Sequence, residues 1–193
     1  MDQKNRSFST EELEEELRYE KEKDRKIFSA RNTVGTLLVA AAAVTLLVVH
    51  VFPIIRIRGA SMEPGLTEND VVLVKKQTDL EPGDIAVFYF NSSIVVKRVI
   101  AVSGDVVIID DQGNVSVNGE TLQEPYVYEK SLEDCSIAFP YKVRKDCYFL
   151  LGDHRSVSID SRNSAFGSIP KEQITGKALF VLWPLSHMGS VTK

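Results

Sequence analysis

Ser61 stands in the segment Arg58-Gly59-Ala60-Ser61-Met62-Glu63-Pro64-Gly65-Leu66, where Gly59 and the Pro64-Gly65 pair mark a loop that another backbone can approach closely. A serine in a loop is by default a turn or cap residue, and it becomes a nucleophile only when a base takes its proton. Lys97 is the candidate base. It interrupts the apolar run Ile94-Val95-Val96-Lys97-Arg98-Val99-Ile100. The period-two alternation of a strand puts Val95 and Val99 on its face and Arg98 on the other, with Val96 and Ile100. A lysine on an apolar face either snorkels at a sheet edge or is desolvated until it sheds its proton, and only the second state can act as a base. A third polar cluster, Gly152-Asp153-His154-Arg155-Ser156-Val157-Ser158-Ile159-Asp160-Ser161-Arg162, follows the apolar run Cys147–Leu151. Taken alone it is a hydrated connection held by Asp–Arg pairs. His154 next to Asp153 raises a Ser/His/Asp triad, but neighbours in one loop seldom reach that geometry.

Groups so far apart in sequence need a scaffold that gathers them. The chain has 193 residues, enough for one domain with an anchor and a tail. A net charge of -4 gives no electrostatic footprint for a nucleic acid, and no nucleic-acid partner is expected. Cys135 and Cys147 form neither a CxxC pair nor a Cys/His cluster of zinc spacing, so no metal site is expected.

Residues 1–31 are densely charged, whereas residues 32–55 contain no Asp, Glu, Lys or Arg. The uncharged run is long enough to cross a hydrocarbon core of about 30 Å as a helix. It exceeds the apolar stretch of a cleavable signal peptide and follows a long polar start, so it reads as an uncleaved, single-pass transmembrane anchor. Lys21, Lys23, Arg25, Lys26 and Arg31 crowd its N-terminal flank and place that side in the cytoplasm, although Arg56 and Arg58 on the other flank pull the opposite way. Residues 56–193 would then be the extracytoplasmic domain. The cytoplasmic segment has helical signals, a Ser9/Glu12 capping box and Glu14/Arg18 and Glu22/Lys26 pairs.

After the anchor, β-branched and aromatic runs at 71–75, 84–90, 94–102, 105–110, 147–151 and 177–183 alternate with turn signals, among them Asn91-Ser92-Ser93 and Asn118-Gly119. The spacing leaves no room for parallel crossovers and predicts a mainly β fold, an antiparallel sheet or partly closed barrel. Phe88, Tyr89, Phe90 and Trp183 are either core residues or anchors at a membrane interface.

The order Gly-x-Ser-Met-x-Pro, Gly-Asp-Ile, Lys-Arg-Val-Ile-x-x-x-Gly-Asp and Gly-Asp-x-Arg-x-x-Ser-x-Asp-Ser-Arg, followed by Phe166-Gly167 and Gly176-Lys177, resembles that of the bacterial type I signal peptidases over essentially the whole chain. The resemblance implies a membrane-bound serine endopeptidase that needs no cofactor. Ser61 would be the nucleophile and Lys97 the general base. Ser158 would orient the lysine, Asp160, Arg162 and Arg98 would support the site, and Asp153 and Arg155 would shape the loop. Gly59, Ala60 and Met62 would border the oxyanion and substrate. It also implies preprotein substrates cut after small residues at the first and third positions before the scissile bond, beside a lipid bilayer. His154 stands where many members have Asn, Gly65 where others have Thr, and Gly59 where some carry a serine that assists the oxyanion. The endoplasmic-reticulum relatives place a histidine where Lys97 stands, which makes this chain resemble the bacterial form.

Two other readings compete: a self-cleaving repressor, which would carry a DNA-binding domain in place of the spanning segment, and a non-catalytic membrane-tethered β domain, which would not need both Ser61 and Lys97. An external domain also permits a Cys135–Cys147 disulfide, with two free thiols as the alternative because Cys147 begins an apolar strand.

Overall fold

The computed structural model describes residues 10–131 and 135–191. The Ser9 cap falls outside these residues. One helix, α1, runs from Thr10–Val51 without a break between its charged and apolar halves. Its stretch Leu17–Val51 is long and apolar enough to cross a membrane. Among its charged residues Glu20 and Lys23 pair at 3.7 Å. The helix stops short of the expected boundary at residue 55. Pro53 has no N–H to continue it and disfavours a helical Phe52. Ile54 and Ile55 instead pair with Leu73 and Val72 in a sheet.

The remaining described residues include twelve strands: β1 (Ile54–Arg56), β2 (Val71–Lys75), β3 (Ile85–Phe90), β4 (Ser93–Ala101), β5 (Val106–Ile109), β6 (Val115–Val117), β7 (Glu120–Thr121), β8 (Tyr141–Lys142), β9 (Cys147–Leu151), β10 (Ile169–Pro170), β11 (Ile174–Trp183) and β12 (Gly189–Ser190). Ladders between them are antiparallel throughout. The main sheet has the order β1-β2-β11-β3-β4-β9-β10, with β12 on β11, and a smaller sheet has the order β7-β6-β5-β8. This is the expected mainly β, antiparallel architecture, without closure of the main sheet into a ring.

Local sequence explains the tight turns. β3 and β4 join through Asn91 and Ser92, both at positive φ (48° and 63°), the two-residue connection whose twist suits a hairpin. Asn118 and Gly119 repeat the device between β6 and β7, at 53° and 87°.

Among the described residues, three clusters of buried side chains form the core. Val72, Val74, Ile85, Val87 and Val96 pack with Met62 and Leu66. Phe88, Val99, Leu150, Phe166 and Ile174 form the second. Val107, Val115, Phe149 and Leu151 join the small sheet to β9 in the third. Phe88 is therefore core and Phe90 packs against the same cluster, whereas Tyr89 and Trp183 lie on the surface. Cys147 is buried in the third cluster, and both it and Cys135 are free thiols. The disulfide is not formed: β9 uses Cys147 as a small apolar side chain.

Candidate active site

β1 and β2 are the two arms of a hairpin, and residues 57–70 are its closure. The Ile57 N–H donates to Asp70 O (2.8 Å) and the Asn69 N–H to Ile57 O (3.0 Å), which carries the ladder into the loop. Inside it, Met62 and Leu66 are buried and the Leu66 N–H donates to Met62 O (2.9 Å). The Glu63 N–H donates to Ala60 O (3.1 Å), so Ser61 lies within a closed turn. Gly59 has φ +80° with open space where a Cβ would stand, a conformation that glycine adopts without strain. Gly59, Ser61 and Met62 line a cleft of about 330 Å³, and Lys97 lines it from β4. Its other walls are mostly apolar and include Ile94, Val95, Phe90, Val157 and Ile159.

Lys97 is 3% exposed and faces Ala86 across the β3–β4 ladder. Its Nζ donates to Ser158 Oγ at 2.9 Å. Burial is the largest influence on this amine and lowers its pKa to about 8. Asp160 works against that shift, Arg162 reinforces it and Asp153 opposes it. A neutral amine held by a hydroxyl in an apolar cleft is equipped to take a proton from a neighbouring alcohol.

Both carboxylates that would recharge the amine are bound to other cations. Asp160 receives Arg162 Nε (2.8 Å) and Nη2 (3.0 Å), and accepts the Gly152 N–H (3.0 Å). Arg162 also donates to the carbonyls of Ser131 (2.7 Å), Arg155 (2.7 Å) and Ser158 (3.1 Å). Arg98, on the far face of β4, grips Asp153 with two parallel bonds of 2.8 and 2.7 Å and donates to Gly83 O (3.0 Å). Burial raises the Asp153 carboxyl from its ordinary value, and the hydrogen bond and charge of Arg98 oppose the rise.

The loop after β9 meets the Ser61 loop backbone to backbone. The His154 N–H donates to Ser61 O at 3.2 Å. A Cβ on Gly152 would sit 2.2 Å from Ser158 Oγ and 2.5 Å from Ser61 O, so only glycine fits where the two loops touch. The ring of His154 faces Glu63 (3.9 Å) and Glu129 (4.0 Å), while Asp153 is turned to Arg98; no His154–Asp153 relay is assembled.

The structure thus places Ser61 and Lys97 on one cleft, with Ser158 bonded to Lys97 and the Asp160–Arg162 and Arg98–Asp153 pairs and Arg155 behind them. Two side chains of this assembly escaped the sequence analysis. The Tyr126 ring lies under the Arg98 guanidinium at 3.9 Å, and Glu124 pairs with the buried Arg155 at 2.6 Å. Both come from the connection between β7 and β8, which shows no strand or helix period. Only the buried Glu124 side chain and the contact of Tyr126 with Arg98, visible in three dimensions, single them out.

Residues 30–183 match the model of the family described as signal peptidase, peptidase S26. The chain is 31% identical to signal peptidase I of Bacillus amyloliquefaciens, over 89% of this chain and 98% of that one. It is 36% identical to signal peptidase IB of Staphylococcus aureus, over 77% of this chain and 88% of that one. With the probable signal peptidase I-2 of Synechocystis it shares 35% identity over 70% of this chain, spanning 65% of that relative.

Proposed function

We propose, from the premise that the chain belongs to the signal peptidase family, peptidase S26, that it removes signal peptides as a serine endopeptidase with Ser61 as nucleophile and Lys97 as general base. The observation that carries this reading is the state of Lys97: buried, brought to about 8, bonded to the Ser158 hydroxyl, and lining the same cleft as Ser61.

In the proposed reaction the neutral amine of Lys97 takes the proton of Ser61 Oγ, and the oxygen attacks the carbonyl carbon of the scissile bond. The tetrahedral oxyanion is held by the Ser61 N–H and a second donor. Collapse breaks the C–N bond, and the proton on Lys97 goes to the departing amine. Water, deprotonated by Lys97, then cleaves the acyl ester and restores Ser61. Ser158 keeps the amine aimed, and the Asp160–Arg162 and Arg98–Asp153 pairs hold the framework without entering the chemistry.

The substrates are preproteins with small residues at the first and third positions before the cut. The mostly apolar lining of the cleft supports this specificity. The apolar stretch of α1 anchors the enzyme in a single pass, its basic N-terminal flank in the cytoplasm and the β domain outside.

The test uses the detergent-solubilised full chain and a precursor with one small-x-small site, with fragment masses as the readout. The wild type should cut at that site, and folded Ser61→Ala and Lys97→Ala variants should leave the precursor intact. Turnover by either variant refutes the dyad, and cutting elsewhere refutes the specificity.

A further inference from the structure

Residues 124–129, in the connection between β7 and β8, lie as a strap along the loop formed by residues 152–162. The Tyr128 N–H donates to Asp153 O at 3.3 Å, and Ser156 Oγ donates to Glu129 at 2.8 Å. Its deepest point is Glu124, whose side chain is as buried as that of its partner Arg155, each 3% exposed. Arg155 Nη2 donates to Glu124 Oε1 at 2.6 Å, and Tyr126 donates its hydroxyl to the same oxygen at 3.1 Å. Burial, followed by the charge of Glu124, raises the Tyr126 phenol far above its ordinary value, so it stays a donor. A carboxylate so deep in a protein is stable only with such a set of partners, and removing one leaves an uncompensated charge.

Arg155 transmits this anchorage in two directions. Its Nε donates to Gly152 O at 2.9 Å, and its own carbonyl accepts from Arg162 Nη2 at 2.7 Å. Gly152 is the residue with no room for a Cβ between Ser61 O and Ser158 Oγ. The chain of contacts therefore runs from Glu124 through Arg155 and Gly152 to the hydroxyl that holds Lys97.

We infer that Glu124 is a positioning residue of the peptidase reaction: through Arg155 it fixes the loop that presents Ser158 to Lys97, although it stands 27 residues after Lys97 in the chain and touches no reacting atom. The inference rests on the Ser61/Lys97 reading above. Its consequence is specific. With Glu124 neutralised, the loop loosens over Lys97, water reaches the amine, and desolvation, the main influence on that group, weakens.

Glu124→Gln keeps the shape and removes the charge. Kinetics on the full chain in detergent, with a peptide of small-x-small sequence, should show kcat down about tenfold with KM nearly unchanged. The rising limb of the kcat/KM profile should move to higher pH, towards the ordinary lysine value. A purely structural role would lower the folded fraction, and with it apparent kcat, without moving the limb. In a Ser158→Ala background the same substitution should change kcat less than about twofold, because the two residues act on one contact. An unmoved limb in a folded Glu124→Gln protein, or equal losses in both backgrounds, overturns the inference. If Glu124→Gln does not fold, Tyr126→Phe, which deletes one oxygen from the link, decides by the direction of the same limb. Cutting by a folded Lys97→Ala protein would instead refute the dyad itself, so the two failures are told apart.

Discussion

Lys97 and Arg98 are consecutive residues of β4, both at most 3% exposed, and the two faces of the strand treat them in opposite ways. On one face a lysine meets valines, an alanine and a serine hydroxyl, and its charge is destabilised. On the other an arginine meets Asp153 in two parallel bonds, with the Tyr126 ring beneath it, and its charge is retained. Burial alone does not distinguish them. The difference lies in the residue type, since a guanidinium does not give up its proton in a protein, and in where the carboxylates are committed. Asp160 is near enough to raise Lys97, yet it is bound to Arg162. Burial lowers the pKa of this amine, and the nearby anions, each bound to another cation, oppose that only in part.

Lys97→Arg should collapse this contrast with the largest effect. It keeps a buried cation at the position but supplies one that cannot accept the Ser61 proton, so kcat/KM should fall by about 10³-fold or more. Precursor cleavage by the folded variant measures it. Asp153→Asn attacks the other face. It removes the carboxylate that Arg98 grips with two parallel bonds and should destabilise the domain by about 3 kcal/mol, seen as a lower denaturation midpoint. The smallest effect sharpens the contrast without a mutation. Because Lys97 is lowered to about 8, kcat/KM should rise with pH through a midpoint near that value, not near 10.5. The sign for stability follows the same shift. The unfolded chain binds this proton more tightly between about 8 and 10.5, so Lys97 destabilises the fold at neutral pH by about 3 kcal/mol, and that penalty fades as pH rises through this window. A midpoint near 10 in the kinetic profile would mean a solvated amine.

The fold was legible because the strands announce themselves locally. The run 71–75 is β2 residue for residue, and Asn118-Gly119 turns where its dihedral preferences dictate. The placement of Lys97 among apolar neighbours followed from strand alternation, and the nearness of Ser158 from the resemblance. What stayed hidden depended on pairing between distant segments. The resemblance marks Asp160, Arg162 and Arg98 as support without assigning partners, and the register of β4 against β9 helps assign them by bringing Arg98 next to Leu151, one residue before Gly152 and two before Asp153. Glu124 and Tyr126 were invisible because an acidic residue in an irregular connection carries no sign of burial. Hydropathy cannot separate apolar helix from apolar strand, and Pro53 with the β1–β2 pairing ends α1 at Val51, short of residue 55.

Arg162 joins Ser131, Arg155, Ser158 and Asp160 with one rigid fork. A planar group with donors in fixed directions cannot release these acceptors one at a time without leaving buried carbonyls unpaired, each at a cost of about 1–3 kcal/mol. Fraying of the loop in small steps is therefore suppressed, and the segment opens as a single cooperative unit or remains shut. In the language of local unfolding, the amides from residue 152 to residue 162 should exchange together, with similar opening free energies, in native-state hydrogen exchange.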